Sequence, residues 1–193
     1  MWVISCHPVP DSFTRAACQR AINGLALAGH EVRHTDLDAD RFDPAMPAAE
    51  WRHHLDGPET KPAIAAYLEH LRWCDTMVFV YPTWWTGQPA RMKGFIDRVF
   101  VNEVAWDLPP GADRLRPRLG HVRRLVAITT HGSSKFVNAL EGEAGKRIIT
   151  RAIRVLCHPL TRTSWIALYG MDRRTEDERR RFLDRVEHRM SRL

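Results

Sequence analysis

The sequence predicts a doubly wound α/β domain, in which five parallel strands form one sheet with helices on both faces. Three observations carry this. Short apolar runs alternate with segments of helical periodicity along the chain. The third run, Thr76-Met77-Val78-Phe79-Val80-Tyr81, is apolar almost without interruption, as a strand covered on both faces must be. No internal repeat or linker divides the 193 residues, so residues 1–193 are expected to form a single domain.

Each element has its own signal. Trp2 to Cys6 is a first strand that stops at His7-Pro8, where proline cannot continue a ladder. Ser12 is placed to cap a helix from Phe13 to about Ala28, with Phe13, Ala17, Ala21, Leu25 and Ala28 on one face and Gly29 as its stop. Glu31 to Leu37 suits a second strand, and the Pro- and Asp-rich stretch from Asp38 to Pro62 is expected as a long loop. Ala63 to Trp73 carries a helical stripe and leads into the third strand. Pro89 fits the first turn of the next helix, which presents Met92, Phe95, Ile96, Val99 and Phe100. Beyond a loop rich in Pro, Gly and Arg, Arg124 to Thr130 is the fourth strand, Glu141 to Leu156 is helical by pattern, and Arg162 to Tyr169 is the fifth strand. Thr175 caps a last helix to about Met190.

Composition narrows the partners. Hydrophobic residues are 44% and charged residues 27%, as in ordinary globular chains, and no apolar run approaches the ~18 residues of a membrane span. Membrane insertion is therefore not expected. The start of the chain lacks a basic leader and a small-residue cleavage site, so a cytoplasmic protein is expected. The net charge of +6 allows an anionic ligand. The densest cations, Arg114, Arg116, Arg118, Arg123 and Arg124, have no aromatic residues among them, and nucleic-acid binding is not expected. Cys6, Cys18, Cys74 and Cys157 are far apart and read as small buried residues of a reduced compartment. Neither they nor His53-His54 have the spacing of a metal site.

In a sheet of order 2-1-3-4-5 the ligand crevice opens between strands one and three, past their carboxyl ends. The turns there are His7 to Thr14, Pro82 to Pro89 and His131 to Phe136. The first has no glycine fingerprint, but His7, Ser12 and Thr14 stand beside the free N–H groups of a helix start, which suits a phosphate; a plain helix cap fits Ser12 equally well. In the second, Trp84 and Trp85 cannot both point to one face, which sends at least one toward the crevice as a wall for a flat ring.

Taken together, His7-x-x-x-x-Ser12-Phe13, Pro82-Thr83-Trp84-Trp85 with Gly87, Pro89, Lys93-Gly94 and Arg98-Val99-Phe100, and Thr129-Thr130-His131-Gly132 resemble the flavodoxin-like NAD(P)H:quinone oxidoreductases. That group includes NAD(P)H dehydrogenase (quinone), modulator of drug activity B and the ancillary flavoproteins of potassium efflux systems. The resemblance implies a flavodoxin-like three-layer sandwich, bound FMN or FAD, NAD(P)H as electron donor, a quinone or similar aromatic acceptor, and a homodimer with its active sites at the subunit boundary. It implies that His7, Ser12, Phe13 and Thr14 hold the flavin phosphate and ribityl chain, that Pro82, Thr83, Trp84 and Trp85 follow the ring, and that Thr130, His131 and Gly132 lie near its pyrimidine end. Backbone N–H groups at His131-Gly132 suit an anionic reduced ring, His131 is the candidate catalytic residue as a source of a proton or positive charge, and Trp85 and Phe136 are candidate substrate contacts. His131 stands where relatives often have a second glycine, and Ser134-Lys135-Phe136-Val137 contains no tyrosine. A regulatory subunit of a membrane transport system, a one-electron carrier and a flavin-free interaction module are the alternatives that the residues leave open.

Overall fold

In the computed structural model, which describes residues 1–193, five strands make the central sheet: β1 (Trp2–Ser5), β2 (Arg33–Asp36), β3 (Thr76–Pro82), β6 (Arg124–His131) and β7 (Arg162–Tyr169). All pair in parallel, in the order β2-β1-β3-β6-β7, the order expected from the sequence. The intervening β4 (Trp106–Asp107) and β5 (Arg116–Pro117) form a separate two-stranded antiparallel ribbon.

Alternation along the strands sorts side chains onto two cores. Trp2, Ile4, Met77, Phe79, Tyr81, Leu125 and Ala127 face α3 (Ala65–Trp73) and α4 (Ala90–Val99). On the other side Val3, Val78, Val80, Val126 and Ile128 face α1 (Phe13–Leu27) and α7 (Glu176–Met190). All seven residues of β3 are buried, which is why its sequence shows no alternation. Bulky rings fill one layer and β-branched side chains the other. Trp2 illustrates the first: it is fully buried, its indole N–H donates to Thr35 Oγ1 at 2.9 Å, and its ring meets Phe95 edge-on at 5.6 Å. The helix ends follow their caps. Ser12 Oγ accepts from the Arg15 N–H, Gly29 takes a positive φ after α1, and Thr175 and Glu178 form a reciprocal capping box at α7. No helix is long and apolar enough to cross a membrane.

Two segments depart from expectation. Residues 38–62 are not one loop but contain α2 (Ala48–Arg52) and short 3₁₀ turns. With no apolar stripe of their own, these are held by polar contacts. Arg98 is buried on α4, donates to both Glu50 carboxylate oxygens and reaches the Asp43 carbonyl, while buried Lys61 donates to the carbonyls of His53, Asp56 and Gly57. Further on, the helical stretch expected at 141–156 begins earlier and breaks. α5 (Lys135–Leu140) ends at Gly142 and Glu143, both with positive φ, and α6 (Ala144–Arg147) then runs into a π-helical turn, Ile148–Ile153, and a 3₁₀ turn, Arg154–Leu156. In the arginine-rich stretch, Arg118 pairs with Asp107, Arg123 with His158, and Arg124 donates to the Leu193 carbonyl, while Arg114 and Arg116 are exposed.

Gly94 shows how closely the 38–62 segment crosses α4, since a Cβ there would overlap the Pro44 backbone. Gly94→Ala is expected to lower the unfolding free energy by about 1–3 kcal/mol. Gly120→Ala, which adds a methyl in open space, should stay within about 0.5 kcal/mol of the parent. Urea denaturation of both variants measures the difference.

Candidate active site

Because β1, β3 and β6 run parallel, the turns that follow them leave from one edge of the sheet. After β1, His7 is held by local contacts: its Nδ1 accepts from the Val9 N–H at 3.1 Å and its carbonyl accepts from Arg15 Nη2 at 3.2 Å. Ser12 caps α1, with Oγ 3.3 Å from the Arg15 nitrogen. The N–H groups of Phe13 and Thr14, at the start of the helix, have no acceptor within it. The Phe13 ring turns into the core against Phe182 at 5.9 Å, so only its backbone faces the turn. Thr14 is buried. Arg15, which sequence pattern did not single out, pairs with Asp36 at the end of β2 and ties the two turns together. The first turn of α1 contains no acidic residue.

After β3 the chain makes a two-residue hairpin. Trp84 and Gly87 exchange backbone hydrogen bonds of 3.1 and 3.0 Å, with Trp85 at φ +47° and Thr86 at φ +62° between them. Both central residues occupy the left-handed region that normally belongs to Asn-Gly, and a β-branched threonine is poorly suited to it. The turn is held from the α6 side. The Thr86 carbonyl accepts from the Gly145 N–H at 2.9 Å, and buried Gln88 donates to the Gly145 carbonyl at 2.9 Å and to the Tyr81 hydroxyl at 3.2 Å. A Cβ on Gly145 would lie 3.3 Å from Gly87 Cα, a tight contact that would push the two backbones apart by a few tenths of an ångström. This geometry separates the tryptophans: Trp84 is 46% exposed and Trp85 99%.

After β6, the Thr130 carbonyl accepts from the Thr83 N–H at 2.8 Å, joining the second and third turns. Pro82, the last residue of β3, is buried. His131 is buried, with Nδ1 2.6 Å from Asn138 Oδ1, Nε2 3.4 Å from Thr83 Oγ1, and its ring stacked on Tyr169 at 4.5 Å. Burial holds the imidazole below its usual pKa, although the Asn138 hydrogen bond opposes the shift. Thr83, Trp85, Thr86, His131, Gly132 and Asn138 are among the residues lining a cleft of about 160 Å³. Phe136 stands outside it, 72% exposed on α5. Asn138 and Tyr169 join the site only through the fold. A hydrogen-bonding residue late in a capped helix and an aromatic at a strand end have many structural uses, so neither carried a signal.

A wider hollow of about 410 Å³, between α1 and β2, is lined by Ser5, Ser12, Arg15, Cys18 and His34 among others. Burial pushes Cys18 up to about 11 and Cys6 up to about 12, so neither thiol is a nucleophile near neutral pH. The cleft at Thr83 and His131 offers donors and acceptors with one apolar ring, that of Trp85, the equipment for holding a planar polar ring. His53 and His54 lie elsewhere: His53 pairs with Asp56, and His54 stacks on Trp51.

Residues 1–189 match the family described as flavodoxin-like fold. An uncharacterized NAD(P)H oxidoreductase, YcaK, of Escherichia coli K12 is 35% identical over 114 residues, covering 55% of this chain and 55% of its own. NAD(P)H dehydrogenase [quinone] 1 of Cavia porcellus is 27% identical over 159 residues, covering 74% of this chain and 57% of its own. The matches thus span little more than half the length of these curated relatives. The crystal structure of Smu.1420 from Streptococcus mutans superposes over 100% of both chains with a TM-score of 0.85 and 26% identity.

The strained hairpin generates a test of its own. A non-glycine residue in the left-handed region costs roughly 1–2 kcal/mol, and glycine's greater chain entropy takes back about half of that. Thr86→Gly is therefore expected to raise the unfolding free energy by about 0.5–1 kcal/mol, measured by chemical denaturation.

Proposed function

Because the chain belongs to the flavodoxin-like fold family, we propose that it is a flavin-dependent NAD(P)H oxidoreductase that reduces quinones or similar aromatic acceptors. The observation that carries this proposal is the convergence at one sheet edge of a helix start without acidic residues, an exposed tryptophan hairpin and the Thr130-His131-Gly132 turn. The names of the relatives, an NAD(P)H oxidoreductase and an NAD(P)H dehydrogenase [quinone], point the same way.

The residues suit such a group. An anionic phosphate at the start of α1 would meet the N–H groups of Phe13 and Thr14, with His7 and Ser12 beside them, and no carboxylate in the first helical turn. Pro82, Thr83, Trp84 and Trp85 would run along the ring, with Thr130, His131 and Gly132 at its polar end. The flavin, when bound, supplies hydride acceptance from NAD(P)H and reduction of the acceptor. The chain's own task is to stack the reactants and to aim polar groups at developing charge. His131 enters this reaction neutral, given its burial and lowered pKa. Trp85, exposed on the cleft, and Phe136, exposed on α5, would contact the acceptor. The flavin such a site would hold is FMN or FAD.

Trp85, Phe136 and Leu140 are an exposed set of large apolar side chains. We assign it to a second copy of the chain, which makes the active unit a homodimer. Four free buried cysteines fit a reducing compartment, the cytoplasm.

The purified protein is expected to be yellow, to release FMN or FAD on denaturation, and to oxidise NAD(P)H in the presence of a benzoquinone. A colourless protein that takes up neither FMN nor FAD would overturn the proposal. Turnover below about 0.1 per second, against ~10 per second for a typical enzyme, would shift it toward a regulatory role. Replacing Trp84 and Trp85 together with alanine should lower flavin retention, whereas replacing His53 and His54 should not; equal flavin content in the two variants would contradict the site.

A further inference from the structure

The polar groups around His131 determine one another's hydrogen positions. Asn138 Nδ2 lies 2.8 Å from the Ser134 carbonyl, which can only accept, and 2.7 Å from Ser133 Oγ. The amide is therefore oriented with Oδ1 toward His131, and at 2.6 Å that oxygen requires a proton on Nδ1. In the neutral ring Nε2 is then a bare acceptor. The Thr83 hydroxyl, 3.4 Å away, is the donor available to it. Thr83 Oγ1 is also 2.9 Å from Thr129 Oγ1. The pattern that satisfies every member sends the Thr83 proton to His131, and the Thr129 proton to Thr83 or to the Thr130 carbonyl at 3.5 Å. The reverse pattern would leave the buried Nε2 without a donor. With its own proton committed inward, Thr83 keeps at least one lone pair for the cleft it lines.

We propose that Asn138, acting through His131, sets Thr83 as a hydrogen-bond acceptor toward the cleft, so that the site selects a ring whose edge presents an N–H donor. Thr83 is the specificity-determining residue and Asn138 a positioning residue. The inference rests on the proposed function only for the identity of the ring: the pyrimidine edge of a flavin carries one such donor, its imide N–H.

The groups around the imidazole keep this polarity at neutral pH. Tyr169 stacks beneath it from β7, with Trp165 beyond. Glu143 is the carboxylate that favours the charged ring, but it pairs with Lys146 at 2.7 Å, and Glu141 stands at the cleft rim. Burial outweighs them, and the imidazole stays below its usual pKa. Protonation at acid pH would place a second donor on Nε2, turn the Thr83 proton outward and convert the acceptor into a donor. Affinity for an N–H-bearing ring therefore falls as pH drops through the His131 pKa.

Two measurements test this separately. In the ¹⁵N-labelled, ligand-free protein at neutral pH, long-range proton–nitrogen correlation is expected to show His131 protonated on Nδ1 and bare on Nε2, and Asn138→Leu should lose that tautomer preference while Asn138→Asp retains Nδ1–H. An Nε2–H tautomer or a charged ring in the parent would overturn the inference, whatever ligand binds. Binding is then compared for FMN and for FMN methylated at the imide nitrogen. The parent should prefer FMN by roughly tenfold, the worth of about one hydrogen bond. Thr83→Val should lose that preference and Thr83→Ser restore it. A valine variant that discriminates as the parent does would overturn the proposal. Failure of the parent to bind either flavin would instead overturn the ligand assigned above, leaving the tautomer measurement to decide the polarity of Thr83.

Discussion

The constraint on which the molecule depends is the parallel pairing of β3 between β1 and β6. Val3 sits opposite Val78, and Val78 in turn opposite Val126, so the three strands advance in register and end at the same edge. Parallel strands require crossover connections, and those crossovers supply the helices that bury both faces. A fully buried β3 is the consequence, and the turn that follows it can only emerge between its neighbours. The site belongs to this topology rather than to a folded loop or an inserted domain.

Within that frame the tryptophan hairpin is the least relaxed part of the backbone. Two consecutive non-glycine residues at positive φ persist because neighbouring structure determines them. The Gly145 amide and carbonyl engage Thr86 and Gln88, and the pairing of Trp84 with Gly87 closes the turn. The holding element is itself irregular, a four-residue helix entered through two left-handed residues and continued by a π-helical turn. Irregularity at both partners places Trp85 entirely in solvent beside the cleft. A regular helix running from 135 to 156 would place Gly145 elsewhere and leave the hairpin unsupported.

The cleft's polar wall follows a different rule. Buried polar atoms must be satisfied, and each satisfied pair limits the next. Thr129, Thr83, His131, Asn138 and Ser133 form one such sequence, drawn from two strand ends and a helix. Replacing a second glycine with His131, a departure from the resembled family's usual pattern, is accommodated because the ring turns inward onto Tyr169 instead of filling the turn. A histidine read in isolation suggests a mobile proton source. Here burial holds its pKa below the usual value, and Nδ1 lies 2.6 Å from Asn138 Oδ1.

By itself the sequence determined the sheet, its order, the caps at Ser12 and Thr175, and the three turns to inspect, because periodicity and capping are local and each leaves its mark within a few residues. It also placed Arg162–Tyr169 as a strand to the residue. Only the tertiary structure decided that 38–62 holds a short helix pinned by Arg98 and Lys61 and that α5 and α6 are separate. The same holds for the joining of His131 to Asn138, Tyr169 and Thr83. Those outcomes rest on contacts between residues distant in the chain or on single buried hydrogen bonds, and neither produces a periodic pattern along the sequence.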